Sequence, residues 1–109
     1  MTVFRVHTYM VKTERIGDLM ALFKEFGAFV KKRPDLFKEM KSWHIHTKLA
    51  GGKLGEFIEM AEFDNLGAFE KLHEAVARDK EYTTKYAELL QLVVPGTYQR
   101  EIWSSVAGS

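Results

Sequence analysis

Apolar and polar residues alternate along 3–11, 41–49, 56–63 and 97–106, and apolar residues recur at helical spacing along 14–33 and 65–93. In the first run Phe4, Val6, Thr8 and Met10 share one face, and Arg5, His7 and Tyr9 the other. In the second, Trp43, Ile45, Thr47 and Leu49 oppose Ser42, His44, His46 and Lys48. In the third, Ile58 and Met60 oppose Phe57, Glu59 and Ala61. Gly51-Gly52 between the second and third runs predicts a hairpin turn. Thr13 is the expected cap of a first helix whose stripe is Ile16, Leu19, Met20, Phe23, Phe26 and Val30. Arg33-Pro34 ends it. Gly17 and Gly27 weaken that helix, and a close approach to the sheet is the expected reason for them. Asp64 or Asn65 opens a second helix, Asp79 interrupts it and caps a further piece, and Pro95-Gly96 stops it. The tail Ala107-Gly108-Ser109 is expected to be mobile.

The resulting order, β-α-β-β-α-β, is the split βαβ or ferredoxin-like arrangement of the α+β class. Right-handed crossovers and the central hairpin favour one four-stranded antiparallel sheet of order 4-1-3-2, with the helices on one face. Residues 1–109 then make one domain. The bare face is expected to carry Arg5, His7, Tyr9, His44, His46, Phe57 and Glu59. The last strand adds either Tyr98, Arg100 and Ile102 or Gln99, Glu101 and Trp103. Such a face calls for cover, and a homodimer with sheets facing each other supplies it.

Composition narrows the function classes. A net charge of +1 gives no electrostatic case for nucleic acid or an anionic membrane. No cysteine is present, which excludes disulfides, thiolate metal sites and cysteine nucleophiles. Arg5 and His7 break the opening apolar run too early for a signal peptide, so a cytoplasmic location is expected. Gly51-Gly52-Lys53-Leu54-Gly55 lacks the following helix that a phosphate loop requires.

The chemistry-bearing residues concentrate on the expected bare face. His44 and His46 lie two apart on one strand, and His7 and Glu59 are candidates to join them. Three imidazoles and a carboxylate suit a divalent metal; the plainer alternative is a hydrogen-bonded polar cavity. A histidine beside Glu59 would have its pKa raised towards neutrality, as acid–base chemistry needs. Arg5 and Arg100, on neighbouring strands, are candidates to hold an anionic substrate, or to pair with Glu59 or Glu101. Tyr9, Trp43, Tyr98 and Trp103 are candidate walls for a flat apolar ligand. Trp43 shares its face with Ile45 and Leu49 and reads rather as core.

Three segments carry a resemblance: Val6-His7-Thr8-Tyr9-Met10-Val11-Lys12, Phe57-Ile58-Glu59-Met60-Ala61-Glu62-Phe63-Asp64-Asn65-Leu66 and Ala77-Arg78-Asp79-Lys80-Glu81-Tyr82. Through them the chain resembles the dimeric α/β-barrel superfamily, most of all NIPSNAP-type proteins and more distantly antibiotic-biosynthesis-monooxygenase-type domains. The resemblance implies a homodimer, with a pocket either between each sheet and its own helices or inside the barrel. It also implies a small-molecule binder, with cofactor-independent monooxygenase-like chemistry or a non-catalytic assembly role as alternatives. In that frame His7, His46 and Glu59 are the catalytic candidates, and Arg5, Tyr9, His44, Arg100 and Trp103 the substrate-binding ones. No cofactor is expected. Haem-degrading members resemble each other in a tryptophan and, ten residues on, a histidine ligand, where this chain has Val76 and Tyr86.

Overall fold

The computed structural model describes residues 1–108, so Ser109 of the expected tail lies outside it. The elements run β1 (Val3–Met10), a 3-10 turn (Thr13–Arg15), α1 (Ile16–Lys32), β2 (Ser42–Thr47), β3 (Glu56–Phe63), α2 (Leu66–Ala77), α3 (Lys80–Leu92) and β4 (Gln99–Ser104). The strands form one antiparallel sheet of order β2-β3-β1-β4, which is the expected 4-1-3-2 read from the other edge.

Two apolar clusters hold the helices to the sheet. Val3, Ala61 and Phe63 pack with Phe29, Leu72 and Val76 at one end. Tyr9, Val11 and Phe57 pack with Leu19, Leu22, Leu89 and Leu92 at the other. Both clusters draw on the odd-numbered residues of β1 and β3. The helices therefore cover the face of Arg5, His7, Tyr9, Phe57 and Glu59, and the expected assignment of the faces is inverted. The physical reason lies in the distribution of apolar residues along each strand. The odd face is polar only at its middle, at Arg5, His7 and Glu59, and is closed at its ends by Val3, Val11, Phe57 and Phe63. Those ends supply enough buried apolar area to decide which side the helices take. The bare face presents Phe4, Val6, Ile58 and Met60 in cross-strand succession, with His44, His46 and Trp103.

Side chains cap the later helices as expected. Asn65 Oδ1 accepts the Ala68 N–H at 2.8 Å, and Asp79 Oδ1 accepts the Tyr82 N–H at 2.9 Å. Each such cap is worth about 1 kcal/mol. The other oxygen of Asp79 takes a 2.8 Å ion pair from Arg33, just beyond α1, so all three helices meet at this carboxylate. Thr13 does not cap α1; it opens the 3-10 turn, and no side chain caps the helix proper. Gly17 and Gly27 face open space rather than the sheet, so close packing is not why they are there. Gly55 has such a reason: at φ +87°, an added Cβ would stand 2.8 Å from the Val11 carbonyl oxygen. Its own carbonyl accepts the Val11 N–H at 2.8 Å, tying the hairpin to the end of β1.

Candidate functional site

Register places the polar middle of the sheet in two rows. His7 lies between Glu59 of β3 and Arg100 of β4, with Ile45 beyond Glu59. Arg5 lies between Ala61 and Ile102, with Trp43 beyond Ala61. Directly opposed side chains share a face about 5 Å apart. Arg5, His7, Glu59 and Arg100 thus converge beneath the helices, in the gap between the two apolar clusters.

Above this row opens a cavity of about 340 Å³. Its floor is Arg5, His7, Arg100 and Ile102. Phe69, His73, Val76 and Ala77 of α2 and Tyr82, Thr83 and Tyr86 of α3 form its roof. Behind it is a hollow of about 20 Å³ that reaches Glu59, Trp43 and Phe26. Arg5, His7, Tyr82 and Tyr86 line both spaces and form the partition between them. A cavity of this size, apolar with a few convergent polar groups, is the usual form of a small-molecule site.

His7 is 6% exposed, and its Nδ1 lies 2.7 Å from the Tyr98 hydroxyl. Burial, followed by the charges of Arg5 and Arg100, lowers its pKa to about 3. The imidazole is therefore neutral at pH 7. This reverses the expected direction, because burial disfavours the imidazolium and the charges of Arg5 and Arg100 then add to that effect. Burial raises the Glu59 pKa, and the Arg5 charge with contacts from Tyr9 and Trp43 only partly opposes this. Burial likewise pushes the phenols of Tyr9 and Tyr98 far above their ordinary value, so both keep their protons. Among the described residues, two buried side-chain atoms find no hydrogen-bond partner: Arg5 Nε and the Tyr9 hydroxyl. Arg100 donates to the Tyr86 hydroxyl, and its guanidinium lies over the rings of Tyr86 and Tyr98, 5.4 and 5.5 Å from their centroids.

The remaining candidates lie elsewhere. Tyr9 is 1% exposed within the second apolar cluster and does not reach the cavity. His44 pairs with Met60 and His46 with Ile58, which turns both imidazoles to the bare face, their rings stacked at 6.2 Å. Trp103 pairs with Phe4 on that same face and donates its indole N–H to Glu101 at 3.3 Å. The quartet His7, His44, His46 and Glu59 is thus divided between opposite sides of the sheet. Among the described residues no cluster of three or more histidine, aspartate or glutamate side chains is placed to hold a metal. Trp43 packs on Phe26 in the first cluster, as its strand neighbours suggested.

Sequence reasoning did not single out Phe69, His73, Val76 or Tyr86 as ligand contacts. Tyr82 and Tyr86 were legible as a helical stripe, and their spacing of four is what brings both to the same wall.

No family model and no curated protein matches the chain. Solved structures do. A NIPSNAP domain protein from Burkholderia xenovorans matches with a TM-score of 0.75 at 10% identity, over 96% of this chain and 95% of its own. SnoaB, a cofactor-independent oxygenase from Streptomyces nogalater, matches with a TM-score of 0.72 at 13% identity, over 98% and 95%. An antibiotic biosynthesis monooxygenase matches with a TM-score of 0.71 at 11% identity, over 96% and 99%. At these identities the likeness is one of fold: the chain has the ferredoxin-like fold of the NIPSNAP and antibiotic biosynthesis monooxygenase proteins.

Proposed function

We propose that the chain is a cytoplasmic, homodimeric small-molecule-binding protein whose ligand lies between the sheet and α2–α3, with cofactor-independent oxygenase chemistry as its activity. The observation that carries this reading is the cavity itself: about 340 Å³, walled by Phe69, Val76, Tyr82 and Tyr86, with His7 on its floor. The fold shared with SnoaB, a cofactor-independent oxygenase, supports the choice of reaction. The apolar bare face of Phe4, Ile58 and Met60 supports self-association.

The chemistry requires a ligand with an acidic C–H. His7 accepts that proton; its low pKa makes it a weak base, so the C–H must be strongly acidic, and the field of the Arg5 and Arg100 charges favours the carbanion that forms. The carbanion passes one electron to dioxygen, and the radical pair joins in a C–O bond. The resulting peroxide takes a proton back and expels water, leaving a carbonyl. In net terms a CH₂ group and O₂ become C=O and H₂O, with dioxygen the only oxidant. Glu59, one layer behind His7, favours the nascent imidazolium whenever it is ionised.

The test is oxygen uptake by purified protein given electron-rich aromatic substrates with an acidic methylene, without added cofactor and with a chelator present. Uptake lost in His7→Phe and in Ala77→Trp, which fills the cavity, supports the reading. Uptake unchanged by both overturns it.

A further inference from the structure

Resting on this placement of the ligand, we infer that the cavity takes a flat aromatic carboxylate, its anionic end held between Arg5 and Arg100. The two guanidiniums enter the same cavity from adjacent strands, one residue row apart on a diagonal. Diagonal neighbours of this kind stand within reach of one group carried between long side chains. Neither arginine takes part in any of the six ion pairs among the described residues.

The chain's own carboxylates leave the arginines without an ion pair. Glu59 shares the hollow with Arg5, yet makes no ion pair with it, and burial holds its carboxyl above the usual carboxylate range. Glu101 lines the cavity, but its carboxylate accepts the Trp103 indole N–H. Arg5 Nε is therefore a buried, charge-bearing donor with no acceptor. Such a group is held in a folded protein at a cost that a bound anion removes. Arg100 lies over the rings of Tyr86 and Tyr98 and gives one N–H to the Tyr86 hydroxyl, which orients its fork and leaves its other donors for a ligand.

The rest of the wall sets the other end of the ligand. Phe69, Val76 and Ile102 offer apolar surface suited to a conjugated ring system. His7, neutral beside the two arginines, adds a hydrogen-bonding group.

A matched pair of probes tests this: 2-naphthoate and its neutral amide, 2-naphthamide, titrated calorimetrically into the intact protein. Charge-assisted hydrogen bonds to the guanidiniums predict that naphthoate binds roughly tenfold to a hundredfold tighter than the amide. Arg100→Gln, at an exposed position, is expected to erase that preference while leaving amide binding in place. Ala77→Trp is expected to abolish binding of both probes, with circular dichroism confirming the fold. Equal binding of acid and amide by the unmodified protein overturns the carboxylate inference and leaves the ligand cavity standing. Binding of neither probe overturns the carboxylate inference and counts against the cavity as a ligand site.

Discussion

The two faces of the sheet divide the work in an unusual way. The covered face holds Arg5, His7 and Glu59 at its centre, although burial of charge is expensive. The bare face, where polar groups would meet water freely, is instead apolar along Phe4, Val6, Ile58 and Met60. Val6 is 1% exposed there, shielded by its neighbours without any helix above it. A sheet built only for stability would have the reverse arrangement. The covered face is polar where the cavity opens, and the two apolar clusters flank that polar gap. The bare face keeps the apolar surface a second subunit would use.

Substitutions separate these roles. Phe63→Ala, within the first cluster, is expected to lower stability by about 3–5 kcal/mol in urea denaturation. Ile58→Ala on the bare face, half-buried in one subunit, is expected to lower it by less than about 1.5 kcal/mol at high dilution. Equal losses would mean that the bare face is a second core.

The polar centre has a signature in pH. The folded pKa of His7, about 3, lies below its ordinary 6.5. Between those values the unfolded chain binds a proton that the folded chain refuses. Stability is therefore complete above pH 6.5 and falls by a few kcal/mol as pH drops towards 3. Glu59 acts in the opposite sense: its raised pKa makes stability decline as pH climbs above its ordinary 4.5. His7→Gln is expected to remove the acid-side loss. An unchanged pH profile of urea midpoints would show that His7 is solvated.

Ile58→Asp addresses the bare face directly. Burying an unpaired carboxylate in a subunit interface is expected to weaken the proposed dimer by roughly a hundredfold while leaving the subunit folded, as read by sedimentation against concentration. An unaltered association constant would exclude this face from the interface.

The smallest effect belongs to the cover. Gly27→Ala, in the middle of α1 with nothing within 4 Å of the added methyl, is expected to raise stability by about 0.5–1 kcal/mol. A loss instead would reveal a contact made only in the assembled protein.

The element order and the bounds of β3 were legible because alternation and capping are local properties. Asn65 and Asp79 sit where their short polar side chains can accept from the following turn, and so the helix break could be read directly. The facing of the strands was not legible. Arg5, His7 and Glu59 are the conspicuous residues of their strands, yet Val3, Val11, Phe57 and Phe63 at the ends decide the orientation. Alternation reports that two faces differ, not which one a helix will choose. The same limit joined His44 and His46 to His7 on paper, whereas pairing of Ile45 with Glu59 sets them apart. Strand order suggested that Arg5 lies near Arg100 and that His7 lies near Glu59, and the register sets each of these pairs on neighbouring strands of one face.

The bond from Arg33 to Asp79 reaches further than its place near the end of α1 suggests. Asp79 occupies the joint between the two roof helices, and Ala77 and Tyr82 on either side of it are both wall residues. The gape of the cleft is thus tethered to an arginine that touches no ligand surface.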